Sequence, residues 1–255
     1  MMLRRTRRPC IRRGQGMRQS GRQSLADQAF TRLEELIVTL VLAPGMTLSE
    51  NDLCDRLKIG RTPVREALQR LRTAHLVEII PRFGIRIAQT NVEDQLLLLE
   101  VRREVERLVV SSAARRSTGA ERMECRRMAK ALASKEKHGV VEFLRYHHQV
   151  RRYIAKIARN PYAEQVVLPF YANSRRFYYL HYLQSRDIPL AAEYHARVIR
   201  AIARGDEAGA AAASDLVIDY AAAITRSVVD NTLSTQQERE PARSGPATNI
   251  SRRKA

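Results

Sequence analysis

The stretch that most constrains the fold is 25–88, where three helical patterns run directly into two short strand-like segments. Leu25, Ala29, Leu33, Leu36, Ile37 and Leu40 recur at helical spacing and define a first helix. Ala43-Pro44-Gly45 ends it, with glycine suited to the positive φ of a type II turn. Ser49-Glu50-Asn51-Asp52 reads as an N-cap with an acid three residues on, which opens a second helix at about 50–57. After Lys58-Ile59-Gly60, Thr62-Pro63 opens a third: threonine offers a capping oxygen, and proline at the first helical position loses no needed hydrogen bond. This helix runs to about Ala74. Segments 76–80 and 85–88 then read as two strands, with Pro81-Arg82-Phe83-Gly84 as the hairpin tip. Three helices and a hairpin packed this closely predict a winged helix-turn-helix.

The third helix has two distinct faces. Val64, Ala67, Leu68 and Leu71 form a stripe suited to burial, while Arg65, Gln69 and Arg72 lie opposite, and Arg61 and Thr62 stand at its start. A helix that enters a DNA major groove needs this division, with its N-terminal end toward the bases. Arginine can pair bidentately with guanine, at about 1–3 kcal/mol of discrimination. Backbone N–H groups at the starts of the second and third helices can hold phosphates. Arg82 and Arg86 flank the wing and are placed to follow the backbone or minor groove. On spacing alone the same arginines equally describe a solvated surface helix.

From residue 92 onward no strand pattern recurs. Helices are expected near 92–117, 119–137, 140–158, 160–183, 188–204 and 206–232, punctuated by Gly119, Gly139, Asn160-Pro161, Pro189 and Gly205-Asp206. Six helices with short connections predict an antiparallel bundle, and the chain as a whole is expected to be mostly α. The expected organisation is a basic arm at 1–22, a DNA-binding domain at 23–91, a helical effector and dimerisation domain at 92–232, and a disordered tail at 233–255. The net charge of +18 points to an acidic partner, and eight of the 45 basic residues fall in 1–22, which has no acid. That arm reads either as a DNA-tracking segment or as a solvated tail; an Arg-rich, acid-free start is also the composition of a transit peptide. Cys10, Cys54 and Cys125 are far apart and form no CxxC pair, which argues against a disulfide framework or zinc site and for a cytoplasmic setting. No apolar stretch is long enough to span a membrane.

Residues 25–90, and above all Arg61-Thr62-Pro63-Val64-Arg65-Glu66-Ala67-Leu68 with the Leu42-Ala43-Pro44-Gly45 turn, resemble the N-terminal domain of the GntR family of bacterial regulators. The resemblance implies that Arg61, Thr62 and Arg65 contact an operator and that Gly84 forms the wing tip. Asn51 stands where the family often has a basic residue, so that contact is not carried over. Residues 92–232 resemble the FCD-type effector domain of the FadR subgroup through Glu100-Val101-Arg102-Arg103, Phe143-Leu144 through Asn160-Pro161, and His195 ahead of Gly205-Asp206.

Many such domains hold a metal with an Asp, a His four residues on, and two later His. The corresponding positions here are His147, Arg151, His195 and Val217. A permanently protonated guanidinium cannot ligate a cation, so neither metal nor other cofactor is expected. The resemblance places Arg102, His147, Arg151 and His195 around one cavity. Two readings follow for Arg151. It binds a small organic acid where relatives use the metal, or it pairs with an internal carboxylate and closes the cavity. The aromatic run Phe170-Tyr171 and Phe177-Tyr178-Tyr179 with Tyr182 reads as core and dimer contact, or as a ligand cage; His75, His138 and His181 read as ordinary histidines. The expected function is a homodimeric, effector-responsive regulator, acting as a repressor on a pseudo-palindromic double-stranded operator. Alternatives are an architectural DNA-binding protein without effector, and a metal-dependent hydrolase using His147, His148 and His195. No nucleophile motif or phosphate loop supports an enzyme.

Overall fold

The computed structural model describes residues 23–135, 139–181 and 188–237. The N-terminal unit contains α1 (Leu25–Val38), β1 (Thr47–Leu48), α2 (Glu50–Leu57), α3 (Arg61–Thr73), β2 (Val77–Ile80) and β3 (Gly84–Ile87). The sheet is antiparallel in the order β1-β3-β2. The hairpin of the sequence reading is therefore the larger part of a three-stranded sheet, extended by Thr47 opposite Arg86 and Leu48 opposite Ile85. Gly45, at φ 80, makes the turn that brings β1 onto β3.

Local chemistry explains the helix starts. Ser49 and Asp52 form a reciprocal capping box on α2, and the left-handed Lys58 closes that helix. The start of α3 differs from expectation. Gly60 is the N-cap and makes no side-chain cap bond, so Thr62 is a helical residue rather than the cap, and Pro63 sits at the third position. Proline is tolerated there because first-turn N–H groups have no partner within the helix. The stripe Val64, Ala67, Leu68 and Leu71 is buried against Leu33, Ile37, Leu53 and Leu57, with Ile85 and Ile87 of the wing closing the core.

The second unit comprises α4 (Val92–Arg116), α5 (Gly119–Lys135), α6 (Val140–Ile157), α7 (Pro161–His181), α8 (Ile188–Arg204) and α9 (Glu207–Gln237). α9 continues five residues past the expected boundary at 232. Short links make consecutive helices fold back on one another, and α5–α6, α6–α7 and α8–α9 all pack together. Alanines at 191, 192, 196, 201 and 203 line the inner side of α8 and let α5 and α9 approach closely. Among the described residues no helix is long and apolar enough to cross a membrane.

The two units meet through α7. Ala172 joins the winged-helix core, Arg175 pairs with Glu35 of α1, and Asn173 Nδ2 donates to the Ala74 carbonyl at 2.7 Å. Arg176 donates to the carbonyls of Ala88 and Gln89 at 2.9 and 3.0 Å, gripping the segment between β3 and α4. The opposite side of α7 faces the interior of the bundle.

Candidate functional site

The exposed front of α3 carries the expected DNA-contacting residues. Arg61, Thr62, Arg65, Gln69 and Arg72 are all exposed, opposite the buried stripe. The first turn of α3 holds no acid, so its free N–H groups and Arg61 give a positive helix end. The side chains of Arg61, Arg72 and Arg82 make no ion pair among the described residues. Arg65 is different: its Nε donates to Glu50 at 2.7 Å, in a largely exposed pair. The α2 start is a poorer phosphate site than expected, because Ser49 Oγ already accepts from the Asp52 N–H and both Glu50 and Asp52 are acidic. At the wing, Arg82 (φ 67) occupies the tip, with Phe83 exposed beside it. Gly84 opens β3 at φ 101, and a Cβ there would lie 2.6 Å from the Leu48 carbonyl oxygen, so only glycine lets the wing close on β1. Arg86 is engaged by Glu78 across the β2–β3 ladder. Arg70 faces backward, 2.8 Å from Asp27 and over the Phe30 ring.

Inside the bundle, Arg102, His147, Arg151 and His195 do come together, around a cavity of about 60 Å³. Arg151 is paired from within the protein: Glu106 Oε1 accepts from both Arg151 Nη1 and Arg102 Nε. Arg102 Nη1 also donates to Ser174 Oγ at 3.0 Å, and Arg151 Nε donates to His147 Nε2 at 2.8 Å. The Arg151 guanidinium lies over the Tyr171 ring, 4.6 Å from its centroid. Burial opposes ionisation of Glu106, but the two guanidiniums outweigh it and hold its carboxyl below the ordinary range. Burial likewise opposes the charge on Arg102, and Glu106 overcomes it. Two cations thus share one anion. The imidazoles add no charge: burial first, then for His147 the neighbouring His195 ahead of the arginines and for His195 the arginines, push both well below their usual range. One positive charge is left over beside the cavity.

Glu106 and Ser174 were not singled out from the sequence, although Arg102 and Glu106 stand four apart on one helix, the spacing at which an ion pair forms. His148, expected on another face, also borders the cavity, and burial with Arg175 and Arg152 nearby pushes it down to about 3. His75 lies exposed at the end of α3, and His181 is 4.5 Å from the Phe177 ring. Tyr171 and Tyr178 border the cavity; Tyr182, His138, Cys10, the 1–22 arm and the tail from 238 lie outside the described residues.

The donor set does not fit a metal. His147 Nε2 is already accepting from Arg151, a cation occupies the next ligand position, and Val217 offers no lone pair. Among the described residues no three His, Cys, Asp or Glu side chains are grouped so as to hold a metal ion, His147, His148 and His195 of the hydrolase alternative included.

The neutral histidines set a pH dependence. Their folded-state pKa values lie below the unfolded value of about 6.5, so the unfolded chain binds more protons in that window. Stability is full above pH 6.5 and falls as pH drops below it, by up to about 1.4 kcal/mol per pH unit per histidine. The melting temperature is expected to fall steadily from pH 7 to 5, and less steeply in His195→Gln. A flat profile in the wild type refutes this.

Comparison with known proteins agrees with both halves. Residues 25–87 match the bacterial regulatory proteins of the gntR family, and residues 97–219 match the FCD domain. Over 84 residues, 32% of this chain and 35% of the relative, the chain is 38% identical to an HTH-type transcriptional regulator in an unstable DNA locus of Streptomyces ambofaciens. It is 35% identical over 88 residues, 34% of this chain and 50% of the relative, to an HTH-type regulator in the TAR-I ttuE-ttuC' intergenic region of Agrobacterium vitis. These matches span no more than half of the relatives' own lengths. Among solved structures, E. coli McbR/YncC is similar with a TM-score of 0.71 at 19% identity, covering 82% of this chain and 100% of that one. A GntR regulator from Rhodococcus sp. RHA1 has a TM-score of 0.61 at 20% identity, covering 80% and 99%. At those identities the structural likeness concerns the fold. With a GntR-type winged helix at 25–87 and an FCD domain at 97–219, the chain belongs to the GntR family of bacterial regulatory proteins.

Proposed function

We propose that this protein is a sequence-specific DNA-binding repressor, dimeric on a pseudo-palindromic operator, that releases DNA when a small organic acid enters the bundle cavity. The observation that carries the reading is the charge count at Glu106: two buried guanidiniums share one carboxylate, and the remaining charge favours an anion. A carboxylate suits the bidentate geometry of arginine. The cavity wall includes Tyr171, Ser174 and Arg175, on the helix whose next residues fasten the winged unit, so a ligand there acts on the reader through α7. Differential binding to two arrangements of the winged units then changes operator affinity. Exposed Leu97 and Leu108 on α4 supply an apolar face for the dimer, matching two-fold protein symmetry to a two-fold site.

The test is operator binding titrated with a panel of small mono- and dicarboxylates. Arg151→Met removes the excess charge and leaves the Arg102–Glu106 pair intact, so it should fold, bind operator within about twofold of the wild type, and lose the response to whichever acid releases DNA. Two chains are expected per operator. A release unchanged in Arg151→Met, or one chain per operator, overturns the reading.

A further inference from the structure

A second, larger opening lies between the two units. It has a volume of about 550 Å³, against about 60 Å³ for the bundle cavity, and so has room for a larger ligand. Leu98 and Val101 of α4 and Val166, Pro169 and Phe170 of α7 form its apolar walls, and Arg176 stands among them. Arg176 is 2% exposed, yet no carboxylate lies within ion-pair distance among the described residues. Among the described residues the other three buried arginines each have one: Arg102 and Arg151 share Glu106, and Arg175 has Glu35. The terminal nitrogens of Arg176 donate to Ala88 and Gln89, but its Nε has no hydrogen-bond partner. Asp94, which also borders the opening, is occupied by Asn91 at its own helix start. Burial with no compensating anion pushes the Arg176 guanidinium down to about 10.

An isolated buried guanidinium with unused N–H groups is costly, and the group it fits best is a carboxylate. We infer that the opening between the winged helix and the bundle is a second ligand site, separate from the bundle cavity, for an amphiphilic carboxylate. Its head group pairs with Arg176 and its apolar tail lies against Val166, Phe170 and Leu98. Because Arg176 also holds the Ala88 and Gln89 carbonyls, the site exists only while the winged unit is seated as described, and an occupant stabilises that seating.

Octanoate is the probe, with octylammonium as its charge-reversed counterpart, and calorimetric titration the measurement. The wild-type protein should bind octanoate and not octylammonium. Arg176→Met should weaken octanoate binding at least tenfold. Since that variant also loosens the junction, Val166→Glu supplies an independent check: it places a like charge at an exposed wall and leaves the Arg176 contacts alone, and it too should abolish binding. Arg151→Met should bind octanoate as the wild type does. Absence of octanoate binding by the wild type, binding that survives both Arg176→Met and Val166→Glu, binding lost in Arg151→Met alone, or equal binding of octylammonium overturns the inference.

Discussion

Glu106→Ala is expected to lower the unfolding free energy by about 3–5 kcal/mol, the range for removing one partner from a buried charged network. The cost comes less from the lost hydrogen bonds than from what remains. Arg102 and Arg151 would face one another across the Glu106 position with no anion between them, and neither can shed its proton. Urea titration reads the effect as a lower midpoint with an unchanged slope. A replacement that removes all three charges, Arg102→Met with Glu106→Leu and Arg151→Met, should lie far closer to the wild type, because no charge is stranded. A small carboxylate added to Glu106→Ala should restore part of the loss, whereas it should add less to Arg151→Met. A Glu106→Ala variant within about 1 kcal/mol of the wild type refutes the shared-carboxylate account.

The second large effect is at the DNA face. Arg61→Ala and Arg65→Ala should each weaken operator binding by about 1–3 kcal/mol, and by much less on a scrambled duplex, if the contacts are to bases. Arg65 is held by Glu50 in the free protein, but an exposed pair is worth only about 0–1 kcal/mol, so exchanging it for a guanine edge is cheap. Arg70→Ala is the internal control: this arginine belongs to the same helix but packs against Asp27 and Phe30 of α1, and its loss should leave sequence discrimination unchanged. Fluorescence anisotropy on the two duplexes measures all three. Should both Arg61→Ala and Arg65→Ala bind operator like the wild type, α3 is not the reader.

The helices were legible because their signals are local. Ser49 and Asp52 specify the start of α2 within four residues, and the Val64–Leu71 stripe specifies which side of α3 is buried. What the sequence hid depends on pairing at a distance. Thr47-Leu48 is too short to show alternation and becomes a strand only because Arg86 and Ile85 lie opposite. The start of α3 was misplaced by two residues because Thr62-Pro63 suits a helix entrance in either register. In the cavity, the four residues brought together by resemblance are indeed neighbours, but Glu106 escaped notice. Four residues from Arg102, it has the spacing of an ordinary surface pair, and only the packing of the other bundle helices against α4 buries it. Arg176 was invisible for the same reason: nothing near it in the chain marks it as a contact to residues 88 and 89.

The short stretch 171–176 of α7 has a mechanical consequence. Tyr171, Ser174 and Arg175 line the bundle cavity, while Ala172, Asn173 and Arg176 contact the winged unit, all within two turns. Under the proposed function, a signal from cavity to reader would cross the width of one helix, about 10 Å, rather than pass along a chain of intermediates. The motion to which such an arrangement responds is rolling about the helix axis. A few degrees of roll that bring Ser174 toward a ligand swing Arg176 by the same angle on the far side. Neither a bent hinge nor a sliding rod is required, and the gearing between the two sites is set by the phase of the α-helix itself.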